Sequence, residues 1–533
     1  MYFSHRTYVA NLVKRFSELS KQNPAISQRL FEMKDSLLLL SLLELEHAHA
    51  KMIVCYAPRH SGAQKPYNPV VMLRSFLLMA LCGFSSINKW QAHLRGHPEL
   101  VILAGFPKEK PPSVGTFYAF MNRLLNGTYK KKCSHVIRPS ERLKGKRFLR
   151  HLKGEKALRK EQFTDASEGK VKLTVDKAIA SLKNHLPDDF ITKINELLML
   201  CVVIPSAERG FLGNLNELVV AGDGSVLPSH ATGRGHSRCY CHEEGIQKCN
   251  CARYYADPSA TWGWDSYHEK YYFGYRLHAM CINEDGRDLP VHLMLDGAHN
   301  HDSIMGVHAL VRLQKQLRKY LPYAKMKYGV FDAGYDSNAF YSLFKKLDVT
   351  AIIPLNRRNI PRTDANQVER NEKGIPICPG GIEYKLHGTN KRRRKVVYHC
   401  PAKYLGRVNG KQQYKVDLSR CPFGVLCEPD SVMGPLINLH FDNSPRLNPE
   451  VPRETKLFKK LYKQRTSCER FFSRIERQDL KRGTYRRNHI FLFRSMCEAM
   501  IAHGLAWVKK RFGHEKLKTL EEVFDRMLEC VEL

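Results

Sequence analysis

No stretch of this 533-residue sequence reads as the roughly 20 consecutive apolar residues that a membrane-spanning helix needs. The longest apolar runs read as 37–43, with Ser41 inside it, and 70–84, broken by Arg74. The start, Met1-Tyr-Phe-Ser-His, lacks the basic residues and apolar run that open a secretory signal. The expectation is a cytoplasmic protein with no membrane partner. Acid is scarce too: 52 Asp plus Glu stand against 86 Lys plus Arg, a net charge of +34. Such an excess disfavours an enzyme of small metabolites and points to a polyanion, nucleic acid foremost. The hydrophobic share of 43% and charged share of 26% are globular values, which exclude a largely disordered chain. The length implies two to four domains. Sixteen cysteines without a secretory start suggest reduced thiols or metal ligands rather than disulfides.

The first 130 residues read as helices. Residues 36–50 are Leu-rich, and 68–84 form a second apolar helix with Pro69 suited to its first turn. Ser85-Ser86 breaks that pattern and caps a helix over 87–94. A short helix over 99–104 meets the turn Gly105-Phe106-Pro107, and Ser113 caps a helix over 114–125. Short helices, tight turns and basic flanks fit a helix-turn-helix-like DNA-binding module, or a plain helical packing domain. Residues 131–210 read as a basic helical linker.

From 211 the pattern becomes α/β. Strands are expected over 217–227, 271–283 and 289–295, the last two joined by a turn at Glu284-Asp285-Gly286. A helix over 304–320, a strand over 328–331, a helix to Leu347 capped by Ser337 or Asn338, and a strand over 350–355 follow. Strands in succession and then alternating helix and strand describe a mixed sheet flanked by helices. Residues 357–450 read as an inserted subdomain, because a structureless loop of that length is uncommon. A long helix resumes over 456–478 and another spans 489–510. The expected organisation is a helical DNA-binding domain (1–130), the linker (131–210), a first part of the core (211–356), the insertion (357–450) and a second part with the C-terminal helices (451–533).

Three acids stand out by context. Asp223 lies inside an apolar strand and Asp332 at the end of another. Glu469 lies on a helix beside a stripe of Leu461, Cys468, Phe472 and Ile475, together with Tyr462 and Arg465. Buried acids are costly unless paired or bound to metal. Three carboxylates at one end of a sheet make a site for two Mg²⁺ (or Mn²⁺) ions, which can stabilise the attacking and leaving oxygens of a phosphoryl displacement. Taken singly, each acid could instead cap a helix or form an ion pair, and Arg465 is spaced to pair with Glu469 one turn on. Asp302 and Asp336 compete for the second-acid role; Asp332 is preferred because it directly follows the strand, and Asp336 is read as a cap for the next helix.

These residues resemble the motifs of DDE transposases of bacterial insertion sequences, which have an RNase H-like catalytic core. The first-acid motif is Val219-Val-Ala-Gly-Asp223-Gly-Ser, the second Gly329-Val-Phe-Asp332-Ala-Gly-Tyr-Asp-Ser, and the third Tyr462-x2-Arg465-x3-Glu469. His299-Asn-His-Asp302-Ser is similar to a loop common in these enzymes. Tyr67-Asn-Pro-Val-Val-Met and Pro112-Ser-Val-Gly-Thr-Phe-Tyr resemble the family's N-terminal helical domain. The family's lysine seven residues after the glutamate is replaced by Glu476, with Arg477 one step later. The resemblance implies that Asp223, Asp332 and Glu469 are catalytic metal ligands, and that Tyr462, Arg465 and Arg477 contact DNA phosphate.

Two cysteine sets could hold structural Zn²⁺: Cys239, Cys241, Cys249 and Cys251, with His236 and His242 nearby, and Cys378, Cys400, Cys421 and Cys427 in the insertion. Lys391, Arg392, Arg393, Arg394 and Lys395, with Arg453, Lys456, Lys459, Lys460 and Lys463, are candidates for phosphate contact. Trp262 and Trp264 read as core packing or loop anchors.

The resulting expectation is an insertion-sequence transposase that binds double-stranded DNA at terminal inverted repeats, cleaves it, and joins 3′-hydroxyl ends to target DNA. It would be nucleoid-associated in a bacterial cytoplasm and a homodimer on DNA, since two ends must be held at once. A catalytically silent DNA-binding derivative and a stand-alone nuclease on the same fold are the alternatives.

Overall fold

The computed structural model describes residues 4–56, 66–107, 110–126, 136–138, 169–237, 239–246, 249, 251, 253–356, 368–421, 427, 435–477, 479–482 and 485–532. Its centre is a mixed sheet. Five strands build it: β1 (Leu218–Pro228), β2 (Lys270–Glu284), β3 (Arg287–Gly297), β4 (Met326–Val330) and β5 (Thr350–Ile352). Their spatial order is β3-β2-β1-β4-β5. The β1–β2 and β2–β3 pairs are antiparallel, and the β1–β4 and β4–β5 pairs are parallel. A short strand, Thr261–Asp265, pairs with the start of β2.

Local chemistry accounts for this order. β2 and β3 are joined by two residues with positive φ, Asp285 (49°) and Gly286 (75°), the turn whose twist matches a tight hairpin. The parallel strands need crossovers, supplied by the helices Asp302–Tyr320 and Asn338–Leu347. Ser337 caps the second of these by accepting from Phe340 N. Alternation along β2 separates the two faces of the sheet: His278 meets the helix Asp302–Tyr320 at Gly306, while Cys281 meets Cys468 on the helix Thr466–Arg477. The result is an RNase H-like sheet with helices on both faces.

Four local expectations change. The leucine-rich segment is a helix only over Lys34–Leu42, followed by separate short turns at Leu45–Ala48 and His49–Ile53. The break brings Glu46 to Arg74, 2.6 Å away, so the arginine interrupting the second apolar run is buried and paired, with its guanidinium over the Tyr8 ring. The helix expected over 456–478 is divided into Lys456–Tyr462, a tighter turn at Lys463–Arg465, and Thr466–Arg477. Asp336 is not a helix cap; it lies beneath Arg446 and Arg453, as described below. Finally, Phe190–Glu208 is an apolar helical run of 19 residues with mean hydropathy 1.6, long and apolar enough to cross a membrane by composition alone. It is 67% buried, and Asn195 pairs with both the N–H and the carbonyl of Leu293 on β3 at 2.8 and 2.7 Å, which ties the run to the sheet.

One apolar core runs from the N-terminal helices through the sheet to the C-terminal helices. Helix Lys34–Leu42 packs on Asn488–Phe512 and Leu520–Glu532, and Gly504 leaves the space that Leu39 fills. The segment within 368–441 has a separate small core of Cys378, Tyr384, Val396, Tyr398, Leu439 and Phe441. Its strands Lys385–Asn390, Lys395–His399 and Ile437–His440 form one antiparallel sheet, with a second hairpin at Lys403–Val408 and Lys411–Val416.

Candidate active site

The parallel register of β1 and β4 sets the site. Ala221 pairs with Val330. Two residues further along each chain, Asp223, midway along β1, and Asp332, just beyond β4, therefore arrive side by side where the parallel pairing ends. Asp223 is flanked by glycines for a steric reason: a Cβ at Gly222 would strike the Phe331 ring and Met280 sulfur, and one at Gly224 would strike the Asp302 carboxylate. The Asp332 side chain accepts from Gly334 N at 2.9 Å, which turns the chain away after the strand. The third acid comes from the helix Thr466–Arg477. Cys468 Sγ rests 3.4 Å from Ala221 O and 3.6 Å from Ala279 O, anchoring that helix directly over β1 and β2. Glu469 follows at the half-exposed rim.

Arg465 bridges the group. One guanidinium nitrogen is 3.3 Å from Asp223 Oδ2 and another 2.7 Å from Glu469 Oε1. Tyr462 stacks on Phe458, and its ring faces the Arg465 guanidinium. The site also holds Asp302, at the start of the helix Asp302–Tyr320, ion-paired to Arg276 on β2. Arg276 is fixed in turn by Trp264 O at 3.1 Å. Asp302 was weighed from sequence only as a rival for the second-acid position; the structure adds it beside that acid. Arg276 was missed, and its signal was a lone cation within the apolar run Phe273-Gly-Tyr-Arg276-Leu-His-Ala.

The electrostatics are those of a crowded acid site. Burial, then the neighbouring Asp332 carboxylate, push Asp223 up to about 7; the Gly224 N–H and Arg465 oppose them. Burial chiefly raises Asp332 as well, with Asp302 adding to it and the Gly334 N–H and Arg465 opposing. Asp302 Oδ1 is buried with no hydrogen-bond partner. An all-carboxylate set with mutual repulsion and an unsatisfied oxygen suits a hard divalent cation. The oxygens of Asp223, Asp332 and Glu469 do not all close to within 4.8 Å of one another, with Arg465 standing between two of the three. A cavity of about 900 Å³ lined by Lys51, Asp188, Lys193 and Arg318 contains none of these acids.

Asp336 is excluded from this cluster. It is buried and held by Arg446 at 2.9 Å, by Asn356 N at 2.7 Å and by Arg453 at 3.9 Å. Arg453 also donates to Ile353 O, Tyr341 OH and Arg446 O, so it is internally engaged rather than presented to DNA. Lys456, Lys459, Lys460 and Lys463 are exposed on the approach to Tyr462. Lys391, Arg392 and Arg393 occupy an exposed hairpin tip. Arg394 pairs there with Asp442 and Glu450, and Lys395 is half-buried in the adjoining strand. Arg477 is exposed and near Glu498, while Glu476 pairs with Lys481 at 3.8 Å. Trp262 and Trp264 are not core residues: they are 38% and 46% exposed along the short strand beside Arg276.

The two cysteine sets part company. The four sulfurs of Cys239, Cys241, Cys249 and Cys251 lie within 4.8 Å of one another, without His236 or His242. Cys378, Cys400, Cys421 and Cys427 are not gathered: Cys378 belongs to the insertion's apolar core and Cys427 is exposed. The insertion has a small apolar core of its own.

The fold defines the chain's class as an RNase H-like α/β protein with acids clustered where its first and fourth strands part. A family model described as a transposase DDE domain matches residues 217–502, more than half of the chain. The chain belongs to this family of DDE transposases, whose substrate is DNA. No curated protein matches it.

Proposed function

We propose that this chain is an insertion-sequence transposase of bacterial type that cuts DNA at the terminal inverted repeats of its own element and joins the freed 3′ ends to target DNA. The observation that carries this reading is the side-by-side arrival of Asp223 and Asp332 just past the parallel pairing of their strands, with Glu469 brought to them on a helix anchored by Cys468. Asp223, Asp332 and Glu469 would hold the Mg²⁺ or Mn²⁺ ions, which supply an activated water or 3′-hydroxyl and neutralise charge on the transferred phosphate.

The remaining work falls to the chain's own side chains. Arg465 is balanced between Asp223 and Glu469, so an incoming phosphate competes for its fork. Releasing the arginine frees both carboxylates at the moment DNA arrives. Tyr462 fixes the guanidinium plane from one side and offers its hydroxyl to the same strand. The exposed lysines 456, 459, 460 and 463 lead the backbone towards this point. The helices before residue 130 would read the repeats, and two copies of the chain would hold the two ends. The Tyr462-x2-Arg465-x3-Glu469 spacing supports a transposase of the subgroup that carries a Tyr–Arg–Glu signature.

The test is cleavage of a supercoiled plasmid carrying the gene's flanking DNA, with Mg²⁺, Mn²⁺ or chelator, beside Glu469→Gln. Cuts at the element ends that require metal and vanish in the variant are expected. DNA binding without cuts in any metal would overturn the cleavage reading, and cuts that survive Glu469→Gln would overturn the site.

A further inference from the structure

Residues 229–260 leave the sheet after β1 and return at the short strand before β2, and the acid site uses none of their cysteines. Both ends of this arm are fixed at one buried carboxylate. Asp257 accepts from Ser229 Oγ at 2.6 Å and Arg487 N at 2.9 Å, and from the Tyr275 hydroxyl. Above that root, His236–Ser237 pairs with Arg253–Tyr255 as a short antiparallel ladder. Apolar support stops there. Among the arm's described residues, the buried apolar side chains are Ala231, Tyr255 and Ala260, while Tyr240 and Ile246 nearer the tip are 73% and 50% exposed. A segment this short with so little core needs a staple.

The cysteines lie where a staple is needed. Cys239 and Cys249 sulfurs are 3.4 Å apart, Cys241 and Cys251 sulfurs 3.5 Å apart, and all four lie within 4.8 Å. Sulfurs about 2.3 Å from one tetrahedral ion are separated by similar distances. The Cys-x-Cys spacing differs from the Cys-x2-Cys of a finger. One pair follows His236–Ser237 and the other precedes Arg253–Tyr255, strands that the ladder holds together with His236 against Tyr254 and Ser237 against Arg253. Between the pairs the chain turns, with Ile246 N donating to Cys241 O, and the four sulfurs meet at the base of that turn.

We propose that Cys239, Cys241, Cys249 and Cys251 bind one structural zinc ion that closes this arm. The arm carries more than itself. Val136–Arg138, within the basic segment between the helical region and the sheet, adds to the ladder by pairing with Arg253–Tyr255. The zinc clasp thereby docks that basic segment against the catalytic core. The proposal stands apart from the transposase reading and its test needs no DNA.

Purified full-length protein should contain zinc close to one ion per chain by elemental analysis. A thiol-specific mercurial should release that zinc as four thiols are modified. Cys241→Ser should lose most of the metal, whereas Cys378→Ser should keep it. Should Cys241→Ser prove insoluble, mercurial release from the unmodified chain decides the matter alone. Hydrogen exchange should rise in 253–255 and 136–138 when zinc leaves. Four freely reacting thiols without metal, a mass four hydrogens lighter from two disulfides, or iron with visible absorption would each overturn the zinc assignment. Equal zinc loss in Cys378→Ser would overturn the ligand set, and unchanged exchange after zinc release would overturn the clasp.

Discussion

Asp332 and Asp336 stand four residues apart on one loop and meet opposite surroundings. Asp332 faces other carboxylates, with backbone N–H support and with Arg465 and His301 offsetting the repulsion. Asp336 is fully buried and gripped by Arg446, with Arg453 behind it. Burial raises both carboxyls, but at Asp336 the two guanidiniums and the Asn356 N–H oppose it directly. One acid stays electrostatically unsettled and open to a cation. The other locks the end of β5 and the start of the chain returning from the insertion. The same residue type thus serves reactivity at one position and cohesion at the next, and the difference is set by which cations the fold delivers.

Substitutions can break this contrast. Asp332→Asn, like Asp223→Asn and Glu469→Gln, should lower plasmid cleavage by about 10³-fold or more while the chain stays folded and binds end DNA. Asp336→Asn should do the reverse. It removes one partner of a buried pair and should cost about 3 kcal/mol in denaturant unfolding while the metal requirement persists. If Asp336→Asn proved as stable as the parent yet inactive, the assignment of roles would be inverted.

Smaller effects sharpen the contrast. Arg465 lowers both Asp223 and Asp332. Arg465→Ala should therefore move the rising limb of the cleavage pH profile to higher pH, besides lowering the rate. A profile that is merely scaled down would mean that Arg465 acts on DNA alone. Stability has its own pH signature. Asp223 binds its proton more tightly folded than unfolded, so native stability falls as pH rises from about 4 towards about 7. Asp223→Asn removes that loss, so its advantage over the parent should grow across this window to about 4 kcal/mol. A constant difference between pH 4 and 8 would contradict the crowded-acid account. The smallest effect concerns Lys459→Ala, which should reduce the salt dependence of DNA binding by about 0.9 in the logarithmic slope for one lost phosphate contact. An unchanged slope would remove that face of the helix from the DNA path.

Much of the central architecture is legible in the sequence. The β2–β3 hairpin is written in Glu284-Asp285-Gly286, and the first two acids announce themselves as charges within or after apolar runs. Asn68, Ser86 and Ser337 mark helix starts through side chains that accept from the first turn. What was misread depended on distant partners. Arg74 looks like an interruption until Glu46 reaches it. Asp336 looks like a cap until Arg446, 110 residues away, covers it. The run Phe190–Glu208 escaped because Lys193, Asn195 and Glu196 break its apolar pattern. Asn195 is there to bond β3 and Glu196 to meet Lys319, neither of which local spacing reveals. The second cysteine set had the right residues and no geometry to gather them.

By itself the sequence determined the alternation of strands and helices, the basic charge and the identity of the acids, because periodicity and buried charge are local properties of a chain. Only the tertiary structure decided which acids share a site. The parallel register aligns Asp223 with Asp332, the sulfur contact of Cys468 sets Glu469 over them, and Arg276 delivers Asp302 to the same corner. Each depends on an approach between residues tens to hundreds of positions apart, which only the packed sheet and its helices can fix.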